Sequence, residues 1–249
     1  MADRQTTSGR TTKAERREQA RRDRLELQRK IAHARRNRRI ALGVAVALAA
    51  GVAGFALTRP SAAVADPAQL FRQAAAAQES AGCGAAEDVG AYQPEADDQL
   101  HVGADEMPPL SSYASIPPAS GPHNQVTLGA GVYETPPPID RVIHSLEHGA
   151  AVVWYSPDAG GAELERLRAF YGDPAYGDRV IVAPYDYPDE GAAGRLPAGA
   201  QMALVAWHTV QTCERASLAA AFDFTAQYAA PPFGDRTYLG NAPEAGNAF

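Results

Sequence analysis

The chain has 249 residues, enough for one sizeable domain with appendages, and a net charge of −6 that conceals a strong asymmetry. Residues 1–40 carry 14 Lys and Arg against 5 Asp and Glu, whereas the remainder carries 9 against 24. A basic arm of this kind can serve nucleic acid, but its position argues against that partner, because it leads directly into the one long uncharged apolar run, Ile40–Leu57.

Residues 1–12 are polar and read as disordered. Lys13 to Arg39 is rich in helix formers and reads as a basic helix beside a membrane, touching lipid headgroups. At about 1.5 Å per residue the apolar run reaches roughly 27 Å, just enough for a bilayer core. Positive residues beside such a run stay in the cytoplasm. The expected topology is therefore a cytoplasmic arm (1–39), a signal anchor (40–57), a stalk helix (58–82), an extracytoplasmic domain (83–230) and a loose tail (231–249). Cleavage after Ala65, at Ala63-Val64-Ala65, is the rival reading. The charged segment before the apolar run is too long for an ordinary signal peptide, which favours the anchor.

Asp66-Pro67 reads as a helix N-cap followed by Pro at the first helical position, and the Ala-rich helix that follows closes at Gly82, either as a stalk or packed on the domain. Cys83 and Cys213 are the only cysteines. Outside the cytoplasm two thiols suffice for one bridge, the alternative being two unrelated buried thiols. Closing a loop of ~130 residues would stabilise the fold by roughly 5 kcal/mol on the chain-entropy model. Gln99–Gly103, carrying His101, is a weak strand candidate. Ala104–Pro138 is rich in Pro, Gly and Ser, and a loop of that length within a domain tends to be functional.

The loop delivers Ser120-Gly121-Pro122-His123, and three prolines (Pro136–Pro138) then bar a helix before Ile139. Asp140 is a candidate N-cap and Gly149 a candidate left-handed terminator, so His144, Glu147 and His148 share one short helix. Histidines at i and i+4 lie on one helix face and can reach a common centre. Ala150–Tyr155, Arg179–Ala183 and Met202–Trp207 read as strands. Ala162–Tyr171 and Ala216–Tyr228 read as helices. The fold class that follows is α+β, with a small mixed sheet of about four strands covered by helices mainly on one face and preceded by one transmembrane helix.

Ser120-Gly121-Pro122-His123, Gly131-Val132-Tyr133 and the His144-x-x-Glu147-His148-Gly149 core before a Val-rich strand resemble the bacterial domain-of-unknown-function family 3105. Val205-Ala206-Trp207 and Cys213 resemble its later Ala-Trp and Cys. The resemblance runs over roughly residues 80–230, with Ser145 standing where Asn is common and Ser115–Ala119 departing from the usual Pro-Pro-Thr. It implies export from the cytoplasm and implies no activity.

His123, His144 and His148 are the principal candidate metal ligands, with His101 a fourth and His208 a weaker fifth. Several imidazoles without thiolates suit Zn²⁺ or Cu²⁺ rather than Mg²⁺ or Ca²⁺, and Glu147 is then a ligand or an acceptor that orients a ring. Two other readings stand beside this one. The histidines can instead satisfy backbone groups and pin the long loop, which would leave an interaction module for a protein partner not identified by the sequence. His144-x-x-Glu147-His148 also spells the inverted zinc-protease motif, with Glu214 a distant third carboxylate, which would make the chain a metal-dependent hydrolase.

Overall fold

The computed structural model describes residues 65–248. Six strands form one mixed sheet in the order β1-β6-β5-β3-β4-β2. In chain order they are β1 (Glu87–Asp88), β2 (Gly131–Val132), β3 (Ala151–Tyr155), β4 (Val180–Pro184), β5 (Met202–Ala206) and β6 (Thr209–Cys213). The helices are α1 (Pro67–Ala81), α2 (Ile139–Glu147), α3 (Ala162–Tyr171), α4 (Pro174–Gly177) and α5 (Leu218–Tyr228). The α+β class stands, but the expectation of about four strands is corrected to six. Gln99–Gly103, expected as a strand, contributes only an isolated bridge at His101, and three strands not expected are present: the two-residue edges β1 and β2, without readable periodicity, and β6. The expected span Ile40–Leu57 and the basic arm lie outside the described residues. Among those described, no helix is long and apolar enough to cross a membrane, so the expected preceding transmembrane helix has no counterpart here.

The centre of the sheet is a parallel pair, β3 with β4, flanked by the antiparallel pair β3 with β5. All residues of β3, β4 and β5 are buried. That burial explains their uninterrupted apolar sequences, since a strand covered on both faces has no polar side to alternate with. Side chains nevertheless alternate in destination. Ala151, Val153 and Tyr155 enter a core with α1, α3 and α5, through residues such as Leu70, Leu167 and Phe222. Val152 and Trp154 enter a second core with Val142, Ile143 and Leu146 of α2, with Leu110 and Tyr113 from the long loop, and with Tyr92 from the segment before it. The sheet is thus covered on both faces rather than mainly one, by helices on one side and by α2 with the proline-rich loop on the other.

Asp66 caps α1 by accepting from Ala68 N at 3.1 Å, and Gly82 closes it in the left-handed region. The helix does not project as a stalk: it lies against α5, where Phe71 meets Phe222 at 4.8 Å between ring centroids. Cys83 faces Cys213 as an isolated antiparallel bridge, and their sulfurs meet at bonding distance, 2.06 Å. The tail expected to be loose is held by backbone bonds, Phe233 N to Ala226 O at 2.9 Å and Leu239 N to Gln227 O at 2.8 Å.

β5 and β6 form a hairpin across only Trp207 and His208. His208 takes φ 58°, the one left-handed conformation of a non-glycine among the described residues. Its ring is tied to Asp98, with Nε2 2.7 Å from Asp98 Oδ2. That pairing holds the unusual turn in place and joins the hairpin to the long loop.

Candidate metal centre

Helix α2 begins directly after its prolines. Pro138, not Asp140, occupies the N-cap position, its carbonyl accepting from Arg141 N and Val142 N, both at 3.2 Å. Asp140 lies within the first turn, where a carboxylate is favoured by the helix dipole. Val142, Ile143 and Leu146 bury one face at 1 %, 0 % and 0 % exposure and fix the helix to the sheet. His144 and Glu147, three residues apart, then point together toward the loop, while His148 is the C-cap residue and Gly149 follows at φ 89°.

The loop is brought to the helix by a short parallel contact between His123 and the segment Leu100–Val102 that precedes the loop. His123 N donates to Leu100 O at 2.9 Å and Val102 N donates to His123 O at 2.8 Å, setting His101 beside His123. Asp98 anchors this contact from beneath. Its carboxylate accepts from Tyr92 N at 2.7 Å and Ser120 Oγ at 2.6 Å, in addition to its His208 bond, and its carbonyl accepts from Gly121 N at 3.0 Å. Gly121 sits at φ 116°, and a Cβ there would come within 2.8 Å of Tyr113 and 2.9 Å of Tyr92, so only glycine fits. Ser145, fully buried on α2, accepts from Leu128 N at 2.8 Å and can donate to Leu128 O or Arg141 O.

These constraints gather four side chains. His101, His123, His144 and Glu147 each offer a ligand atom, and the four atoms all lie within 4.8 Å of one another. Glu147 Oε2 is the centre of the group, 2.9 Å from His123 Nε2, 3.7 Å from His101 Nε2 and 3.9 Å from His144 Nε2. Four ligands on a zinc ion with bonds of about 2.0–2.1 Å would stand roughly 3.3 Å apart. The observed spread is of that order and somewhat wider.

The hydrogen bonding inside the group is incomplete in an informative way. His123 Nδ1 donates to Gly121 O at 2.7 Å, which fixes the ring and turns Nε2 onto Glu147. With Nδ1 carrying the proton of a neutral ring, Nε2 presents a lone pair to a carboxylate oxygen, and two acceptors meet unless a cation, a proton or a metal ion, lies between them. Among the described residues His144 has no hydrogen bond at either ring nitrogen: Nδ1 is buried without a partner, and Nε2 at 3.9 Å from Glu147 is beyond reach. Burial first, then the imidazoles of His123, His148 and His101, push the His144 imidazolium down to about 4, against the opposing pull of Glu147. His144 is therefore a neutral base at neutral pH, the form in which imidazole binds a metal.

His148 lies against the group, its ring 4.6 Å from that of His144, but both its nitrogens are directed to other partners. Its Nδ1 donates to Ala248 O at 2.8 Å, and its Nε2 faces Glu244 Oε2 at 3.1 Å. The tail completes this attachment by donating from Glu244 N to Glu147 O at 3.1 Å and from Gly246 N to His148 O at 3.4 Å. His208 is likewise elsewhere, on Asp98, and Glu214 lies beside Gly82 and Arg215. Of the sequence candidates, the structure brings His101, His123, His144 and Glu147 together and leaves out His148, whose ring the helix terminus turns toward the tail. Asp98 and Ser145 escaped the sequence reading. Asp98 is one acid among Glu95 and Asp97, and nothing in the sequence marks it as the buried one.

Residues 107–239 match the family model described as a protein of unknown function, DUF3105. No curated protein and no solved structure matches the chain. His123, His144, Glu147 and the asparagine-position Ser145 lie within the matched stretch, while His101, Asp98 and the tail contacts of His148 at Glu244 and Ala248 lie outside it. The matched stretch covers more than half of the sequence, and the chain belongs to the DUF3105 family.

Proposed function

We propose that this protein binds one transition-metal ion, Zn²⁺ or Cu²⁺, through His101, His123, His144 and Glu147. The observation that carries the reading is the meeting of three imidazole nitrogens around one buried carboxylate oxygen. A bound cation would separate the facing acceptors of His123 and Glu147 and give His144 Nε2, 3.9 Å from the same carboxylate oxygen, a partner. The donor set is three nitrogens and one oxygen, without sulfur, which suits these two borderline ions. The hydrolase reading is not supported, because it needs His144 and His148 on one ion, and His148 directs both nitrogens to the tail.

The loop-pinning reading accounts for His123, whose two nitrogens are both engaged, but leaves His144 and His101 without a role. We further propose, from the charge pattern of residues 1–60, that the domain works outside the cytoplasm and is held at the cytoplasmic membrane by its lipid-facing N-terminal segment.

The test is metal analysis of the full chain purified without a histidine tag, together with calorimetric titration by zinc. One ion per chain is expected, and both His123→Ala and His144→Ala should lose it. Glu147→Gln should also weaken binding, whereas His148→Ala should retain the ion. Equal, substoichiometric metal in all of these proteins would overturn the proposal.

A further inference from the structure

The four side chains of the cluster are not held alike. The His123 side chain is fully buried, those of Glu147 and His144 are 2 % and 8 % exposed, and that of His101 is 37 % exposed. Anchoring follows the same division. His123 is fixed by Gly121 O, and His144 and Glu147 ride on a helix packed into the sheet. His101 makes no side-chain hydrogen bond among the described residues. Its backbone segment is held by the two bonds to His123, beside Leu100 at 43 % exposure. Its ring lies 4.8 Å from the rings of both His123 and His144, and so covers them on the side from which solvent can reach the group.

We infer that His101 is a displaceable ligand, and that moving it aside admits a small Lewis base, a compact anion above all, to the ion held by His123, His144 and Glu147. The inference rests on the metal-binding reading. Three protein ligands with the fourth position given to an exogenous group is the arrangement of zinc sites that act on ligands, whereas four protein ligands close a site. Here the geometry supplies both states through a single exposed arm. A divalent ion with one carboxylate and neutral imidazoles keeps a net positive charge, so an anion is favoured over a neutral molecule of equal size. The exchange makes and breaks only coordinate bonds, with His101 leaving as the neutral imidazole and no change in oxidation state.

The full chain loaded with Co²⁺ in place of zinc reports the exchange through its visible absorption bands, with azide as the probe. Azide should alter the bands of the native protein. His101→Ala and His101→Gln should keep Co²⁺ and bind azide more tightly. If His101 occupies the position nine-tenths of the time, the gain is about tenfold. Co²⁺ bound with bands indifferent to azide in all three proteins would overturn the inference and leave the metal-binding reading intact. So would loss of Co²⁺ by both His101 variants as complete as that of His123→Ala. Failure of every form, native included, to take up Co²⁺ would overturn the metal reading itself, and with it this inference.

Discussion

The two faces of the sheet are covered by different means. On one, α1, α3 and α5 pack aliphatic and aromatic side chains against alternate residues of β3–β5, and the Cys83–Cys213 pair closes the margin. On the other, one short helix shares the work with a proline-rich loop that has little regular backbone pairing of its own. Loop backbone buried against a sheet must find partners outside a ladder, and it finds them in the Asp98 carboxylate and the Ser145, Tyr113 and Tyr187 hydroxyls. The helical face is specified by volume. The loop face is specified by polar geometry, and the histidine cluster is an extension of that polar geometry. Chemistry has been built where the backbone already required polar anchors.

The largest test of this comparison is removal of the covalent tie. Cys83→Ser with Cys213→Ser, which releases a loop of 130 residues, should lower stability by about 5 kcal/mol on the chain-entropy account. Chemical denaturation measures it, and mass spectrometry of the unreduced protein should find the two cysteine peptides linked. Free thiols at both positions in protein purified without reductant would remove the tie from the account. Next, Phe222→Ala, in the helical core at 2 % exposure, should cost about 3–5 kcal/mol. It should leave zinc affinity of the folded protein unchanged, because distant sites contribute additively. A fall in affinity as large as that from a ligand variant would mean that the two faces are not separable.

A smaller effect should come from zinc itself. At free zinc one hundred times its dissociation constant, stability should rise by about 2.7 kcal/mol, in native and Phe222→Ala protein alike. An unchanged thermal midpoint under those conditions would count against the site. The smallest change in stability, roughly 1–3 kcal/mol, is expected for Ser145→Ala, which leaves Leu128 N without its buried partner. Yet this variant should weaken zinc binding by 10–100-fold, as the loss of groups that orient ligands commonly does. Ser145→Asn, which keeps a side-chain donor and acceptor, should restore most of the affinity. A Ser145→Ala protein with native affinity would show that loop anchoring and the cluster are independent.

The difference between the faces also decides what could be read from the sequence. The helical face was legible: Ala162–Tyr171 appears with the expected bounds, and the three central strands fall within a residue or two of their expected limits, because burial of volume writes itself as apolar periodicity. The loop face was legible only where a residue type is rare. Histidine and glutamate mark the cluster, but which of the five candidate histidines converge depends on a helix end and a parallel contact that leave no pattern. His148 illustrates this, since it has the right spacing and is turned aside by the chain's last residues. The β5–β6 hairpin was hidden for a related reason. Its turn carries no Gly, Asn or Asp, and His208 adopts the left-handed conformation those residues usually announce, held there by Asp98, a partner 110 positions away.

The sheet ends on both sides in strands of two residues, β1 and β2, with Glu87 and Asp88 exposed along the first. An open sheet margin is ordinarily a template on which further chains can add, strand upon strand. Here each margin offers too few free amide and carbonyl groups to nucleate such growth, and on one side two carboxylates would meet the like charge of any identical copy that approached in register. The long loop and the helices can therefore enclose a half-polar interior without leaving at the rim a surface for fibrillar aggregation.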